Sequence, residues 1–321
     1  MMKAVFMGSS EFACRVLTAV LERKTAFLTA AYVKHEAPRQ RKKSACPVRK
    51  IALSAHIPVF SPQDFKDEST VLKLKSLAPD VVVVVDYGII LPQAVLDIPR
   101  HGCFNLHASL LPFYRGAAPI QRAIMNGEKT TGMTVMLMDA GLDTGDIIFQ
   151  KKAEIKDEDD FFSLSDRLSQ KGSEMIVDML SDLQKGRTLP RTPQDDTLVT
   201  FAPKIRKEEG HIDWKEDAFL ISRKIRALIK WPGCMSRMVL HGKTKLIKFI
   251  KAFPKKREEN AVFQPGAVME TGKESLCIQA GQGTCLCVEE LQVEGKRVVT
   301  SRDFINGFQV KEGDRFFWSD E

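Results

Sequence analysis

Short unbroken apolar runs alternate, through the first half of the chain, with stretches whose apolar residues return every three or four positions. Residues 3–8 form one such run, ending at Gly8, and reads as a buried strand. Residues 11–23 carry Phe12, Val16, Ala19 and Val20 at helical spacing. A second strand is predicted at 27–33, a helix at about 48–55, a short strand at 57–60 and a helix at 67–77. Val81 to Val85 are consecutive valines, the mark of a strand covered on both faces in a parallel sheet. Strands follow at 103–107, 131–138 and 146–154, with helices at 117–126 and 161–184. This alternation predicts a doubly wound α/β domain, whose ligands bind beyond the carboxyl ends of the strands. Residues 84–92 and 105–116 fall at those ends.

The pattern changes after Lys185. From there to about Lys207 the chain carries Pro190, Pro193 and Pro203 among polar residues, and reads as a linker. A helix is predicted at 215–229, then short strands at 236–240, 244–251, 266–269, 275–279 and 284–290, separated by glycine turns. That is the pattern of a small β-barrel or sandwich. A length of 321 residues suits two domains. No apolar stretch is long enough to cross a membrane, and the N-terminal residues lack the pattern of a signal peptide. The seven cysteines include no CxxC pair, which reads as a reduced cytoplasmic protein without structural zinc.

Net charge is +7, and its distribution matters more than its size. Residues 34–50 carry seven Lys or Arg against Glu36, and residues 215–257 carry thirteen against Glu216 and Asp217. Two separated basic segments suit a phosphate-bearing partner, although charge runs are also ordinary solvated faces.

Candidate chemistry concentrates at Asn105, His107 and Ser109, which are spaced by two behind an apolar run. In an extended segment these share one face. An amide donor beside an imidazole can stabilise an oxyanion and move protons. Asp143 lies in a glycine turn between two predicted strands and could complete an Asn–His–Asp set, although acids are common in such turns. The first turn, Gly8-Ser9-Ser10-Glu11-Phe12, is not GxGxxG, which argues against a nicotinamide oxidoreductase. No serine or cysteine nucleophile has an evident activating partner, and no metal-ligand spacing occurs. Metal-free acyl-type chemistry, by direct attack of a substrate nucleophile, fits best.

Asn105-Leu-His107-Ala-Ser-Leu-Leu-Pro112, Arg115-Gly-Ala-Ala-Pro-Ile-Gln121 and Gly141-Leu-Asp143-Thr-Gly145 resemble the signature of the folate-dependent formyltransferases. Matches in Val83–Pro92, Thr197–Lys204, Lys207-Glu-Glu209 and Ile212-Asp-Trp214 resemble the branch of that family that acts on an aminoacyl-tRNA. The resemblance implies a Rossmann-like formyltransferase domain at 1–189, a linker at 190–208 and an OB-like β-barrel domain that helps hold tRNA at 209–321. It implies a transferase of one-carbon metabolism, with 10-formyltetrahydrofolate as co-substrate and no metal. Its acceptor would be initiator methionyl-tRNA, used in translation initiation, and the enzyme a cytoplasmic monomer. Asn105, His107 and Asp143 match catalytic positions. Tyr87, Gly88, Ile89, Leu91, Ser109, Leu110, Leu111, Pro112 and Asp139 match the folate site. Arg39, Arg41, Lys42, Lys43, Lys204 and Lys207 are the expected tRNA contacts, with Arg41 favoured at the acceptor end. Two departures stand out: the family usually has Ala at Asp86 and commonly Pro at Ser10. Same-fold alternatives are a formyltransferase for a small amine and a hydrolase of formyltetrahydrofolate. A non-catalytic RNA-binding protein is the alternative outside enzymes.

Overall fold

The computed structural model of the chain describes residues 1–35, 46–256, 263–271 and 276–318. It divides into two compact units, the first made of residues 1–119, 130–155 and 163–203, the second of residues 120–129, 156–162 and 204–321.

The first unit is built on a seven-stranded sheet of β1 (Lys3–Gly8), β2 (Phe27–Tyr32), β3 (Val59–Phe60), β4 (Val81–Val85), β5 (Cys103–His107), β6 (Thr130–Leu137) and β7 (Ile147–Glu154). Their order is β3-β2-β1-β4-β5-β6-β7. Strands β1 to β5 pair in parallel, whereas β5–β6 and β6–β7 are antiparallel. The strand–helix alternation therefore sets the parallel part, and the last two strands depart from a uniformly parallel sheet. All five valines of β4 are buried, as a central strand covered on both faces requires. One face packs Val5, Met7, Tyr32, Val82 and Val84 against Phe65, Leu74, Tyr87, Leu91 and Val95.

Local signals set the element ends. Ser10 caps the helix Glu11–Arg23 by accepting from the Ala13 backbone at 3.2 Å. The helix Phe161–Gln184 carries Gly172, where a Cβ would lie 2.7 Å from Leu106 Cδ2 and 3.2 Å from Met133 Cε. Gly172 thereby lets the helix backbone close onto β5 and β6.

The second unit holds an antiparallel sheet of β8 (Cys234–Leu240), β9 (Lys243–Lys256), β10 (Val268–Thr271), β11 (Leu276–Gln279), β12 (Thr284–Val293), β13 (Val298–Thr300) and β14 (Phe316–Phe317). The path is β10-β11-β12-β9-β8-β14, with β13 on β12. Val268 N donates to Asp314 O at 2.7 Å and Phe316 N to Gly266 O at 2.8 Å, so the two ends of the path meet and the sheet curls. The β8–β9 hairpin turns at His241 and Gly242, with φ of 50° and 73°, the positive pair that matches strand twist. Trp214, Phe249 and Phe316 form an aromatic cluster inside. The helix Ser301–Phe308, β13 and β14 were not foreseen in the sequence. β9 runs through Pro254 rather than stopping before it.

Replacing Gly172 by Val should destabilise the first unit by about 1–3 kcal/mol, the usual range for overpacking. Thermal unfolding followed by circular dichroism checks this, and an unchanged midpoint would contradict the close helix–sheet approach.

Candidate active site

β5 delivers Asn105 and His107 to one face, with Asn105 opposite Val84 on β4 and Met136 on β6, and His107 opposite Thr134. Beyond His107 the chain leaves the sheet, and buried Thr134 pins it. Thr134 Oγ1 donates to Ser109 O at 2.7 Å and accepts from Leu111 N at 3.1 Å. Gln150 of β7 adds a bond from Nε2 to Leu111 O at 2.8 Å. Ser109 does not join Asn105 and His107; its hydroxyl donates to Phe113 O at 2.6 Å and closes the turn. The Leu111–Pro112 peptide is cis.

Asp143 meets this motif from the loop between β6 and β7. Its Oδ1 accepts from Asn105 Nδ2 at 3.3 Å, and its Oδ2 accepts from Gly116 N at 2.9 Å. The same Oδ2 lies 3.7 Å from His107 Nδ1, with side-chain exposures of 12% for Asp143 and 6% for His107. The other ring nitrogen, Nε2, lies 2.9 Å from Tyr114 O. A carbonyl oxygen only accepts, so that nitrogen carries the proton and Nδ1 is the atom turned to the carboxylate. The three residues singled out in the sequence are thus brought together around one half-buried carboxylate.

Two backbone features make the approach possible. Asp143 adopts φ of 55°, a left-handed conformation that Asp tolerates better than most residues. Gly116 has φ of 126°, and a Cβ there would lie 2.7 Å from Ala202 O. Any larger residue would push away the peptide whose N–H meets Asp143. Asp139 is engaged inside the same loop, where its Oδ1 accepts from Gly141 N at 3.0 Å and from Thr144 Oγ1 at 2.6 Å.

The segment after β4 carries Asp86 at φ of 46° and Gly88 at φ of 70°, with open space where a Gly88 Cβ would stand. Asp86 is exposed, whereas Tyr87 is buried in the core and its hydroxyl has no hydrogen-bond partner among the described residues. Burial pushes the Tyr87 phenol well above its ordinary range. Ile89 is half-buried, Leu91 and Leu111 are buried, and Leu110 sits against Gly132. Ile90, Phe113 and Leu142 are exposed apolar residues on three loops of this unit. Burial pushes the thiols of Cys14, Cys103 and Cys234 up to about 12, which disqualifies them as nucleophiles at neutral pH.

Arg39, Arg41, Lys42 and Lys43 lie outside the described residues. Lys204 and Lys207 are exposed in the second unit. The neighbouring motif is structural: Glu209 pairs with Arg122 at 3.0 Å and accepts from Arg206 N at 2.7 Å, while Trp214 Nε1 donates to Ser236 Oγ at 3.0 Å. Residues of the segment read as a linker reach the site, which the sequence did not suggest. Thr200 and Ala202 pair with the Arg115 backbone, and Gln194 holds the Asp143 loop. A Pro-rich polar stretch carries no periodicity that could have announced this.

Residues 2–180 match the formyl transferase family model and residues 204–309 the formyl transferase C-terminal domain model. The chain belongs to the formyl transferase family, and its curated relatives place it in the methionyl-tRNA formyltransferase branch. The methionyl-tRNA formyltransferase of Geobacter metallireducens is 43% identical over 97% of both chains. That of Thermodesulfovibrio yellowstonii is 40% identical over 96% of this chain and 97% of its own. Among solved structures, the N-formyltransferase of Helicobacter canadensis, in complex with folinic acid and dTDP-3-aminofucose, shares the fold. It has a TM-score of 0.65 and 21% identity, covering 90% of this chain and 99% of that one. HypX of Aquifex aeolicus in complex with tetrahydrofolic acid also shares the fold, with a TM-score of 0.65 and 17% identity, over 99% of this chain and 51% of that one. The chain is therefore an enzyme that transfers a formyl group.

A Cβ at Gly145 would lie 1.7 Å from Leu137 O, a backbone atom that cannot swing aside. Gly145→Ala should displace the Asp143 loop and lower formyl transfer by roughly tenfold or more, since small misplacements of catalytic groups are expensive. Steady-state kinetics alongside circular dichroism check it; full activity would show that the loop tolerates the shift.

Proposed function

We propose that this enzyme transfers the formyl group of 10-formyltetrahydrofolate to the amino group of methionyl-initiator tRNA, for translation initiation, in the cytoplasm. One observation carries the reading. An amide, an imidazole and a carboxylate meet at Asp143, in a chain that aligns over almost its whole length with methionyl-tRNA formyltransferases.

The co-substrate supplies a formyl carbonyl on nitrogen, and everything else is the work of the chain's own groups. Asn105 has a second amide N–H beyond the one on Asp143 and donates it to the carbonyl oxygen as negative charge builds, and His107 would join it as a second donor by turning its Nε2–H from Tyr114 O to that oxygen. Asp143 accepts the proton released by the attacking amine and returns it to the departing nitrogen. With its carboxylate held by Gly116 N, Asp143 needs little reorganisation to do this. The residues fit a folate. The segment Asp86–Leu91 would offer backbone at two positive-φ positions and half-buried Leu110 an apolar side chain, while buried Leu111 and Pro112 would shape the site from behind. Tyr87, Ser109 and Asp139 would contribute through main chain, because the Tyr87 side chain is buried in the core and those of Ser109 and Asp139 are hydrogen-bonded within the protein. In the tRNA complex Arg39, Arg41, Lys42, Lys43, Lys204 and Lys207 would meet phosphates.

Incubation with 10-formyltetrahydrofolate, with and without methionyl-initiator tRNA, tests the assignment, since folate release that ignores the tRNA would indicate a hydrolase. Asn105→Ala and Asp143→Ala should each lower kcat by about 10²–10³, the usual loss for one oxyanion donor or its partner. Arg41→Ala should raise KM for tRNA more than for folate, and tRNA binding should weaken with added salt. Equal effects on both substrates would remove Arg41 from the RNA site.

A further inference from the structure

Gln194 uses every hydrogen-bonding position of its amide. Oε1 accepts from Arg115 Nε at 3.0 Å and Nη2 at 2.8 Å. Nε2 donates to Asp143 O at 2.9 Å and to Gly145 O at 2.8 Å. The two N–H bonds diverge from one nitrogen, so the two loop carbonyls are held at a set separation. The amide cannot turn over, because a guanidinium has donors only and would then face the NH2 group. Arg115 is 5% exposed and is itself held by Asp196, at 2.8 Å.

Arg115 thereby controls both walls around the Asp143 carboxylate. Its backbone pairs with Thr200 O at 2.9 Å and Ala202 N at 2.7 Å, which places the next peptide, whose Gly116 N–H binds Oδ2. Its side chain orients Gln194, which binds the main chain of Asp143 itself. Asp143 stands at φ of 55°, a conformation with a modest intrinsic penalty that needs support from its surroundings. If the Asp143 carbonyl swung away from Gln194, the carboxylate would leave Asn105 and Gly116.

We propose that Gln194 is a positioning residue for formyl transfer, holding the Asp143 peptide in the conformation that aims its carboxylate at the reacting groups. The inference rests on the formyl-transfer reading of this site. Two variants separate it from a general structural role. Gln194→Met removes all four bonds, whereas Gln194→Glu keeps the acceptor for Arg115 and loses both donors to the loop.

Both should lower kcat by about ten- to a hundredfold while KM for each substrate stays within about threefold, the signature of misplaced chemistry rather than lost binding. In an Asp143→Ala background either change should add less than about threefold, since Gln194 acts through Asp143. Thermal midpoints are measured in parallel, and if the Met variant fails to fold, the Glu variant carries the test. A folded variant with kcat within threefold of the unsubstituted enzyme overturns the inference, as does a full multiplicative loss on top of Asp143→Ala. The same series reports on the underlying reading. Normal turnover of the unsubstituted enzyme with loss in Asp143→Ala supports formyl transfer whatever Gln194 does. An unsubstituted enzyme without transfer sinks both.

Discussion

A half-hidden carboxylate, Asp143, is the point on which the first unit converges. Removing a charge from water is costly unless it finds donors, and here the donors come from separate parts of the chain. One is a strand amide, Asn105, and one a loop peptide, Gly116, with the His107 imidazole alongside. Asn105 and His107 come from β5 and Gly116 from the loop after it, so the carboxylate is satisfied only when strand and loops are all in place. The fold and the chemistry therefore share one constraint.

Much of the surrounding structure can be understood as support for that arrangement. Thr134 and Gln150 fasten the turn after His107 to the antiparallel strands β6 and β7. This explains what the antiparallel edge contributes: β6 and β7 supply side chains that hold a loop belonging to β5, and their connection supplies Asp143. Ser109, which matches the folate site by resemblance, spends its hydroxyl on the same task.

The sequence made the alternating part of the fold legible because buried parallel strands and amphipathic helices have distinct periods. Val81–Val85 and the helix Glu11–Arg23 fall where their patterns place them. Asn105 and His107 were legible as a pair because a spacing of two in a strand means one face. From the residues alone Asp143 was visible as an acid in a glycine turn, and the family resemblance made it a catalytic candidate, since its meeting with His107 depends on a loop conformation that no periodicity encodes. Gln194 was not visible at all. Its contribution lies in tertiary hydrogen bonds made by a Pro-rich stretch, which by composition reads as a linker. The short strand Phe316–Phe317 escaped for a simpler reason: two residues cannot display a period.

The same distinction sorts the motifs that first suggested the family. Lys207-Glu-Glu209 and Trp214 belong to the stretches that resemble the branch acting on an aminoacyl-tRNA. Yet Glu209 is bound to Arg122 and to the Arg206 backbone, and Trp214 is buried against Phe249 and Phe316. These side chains stabilise the second unit and are not available to a phosphate, whereas the cationic side chains of Lys204, Arg206 and Lys207 are exposed in that stretch. A motif thus mixes residues that touch the substrate with residues that only hold the first kind in place. Arg115 belongs to both halves of that division at once: its backbone sets the Gly116 donor, and its side chain, through Gln194, sets the acceptor that this donor meets. The guanidinium carries only the second of these, so a lysine there would leave the backbone pairing in place, keep the charge and lose the fork that orients the Gln194 amide.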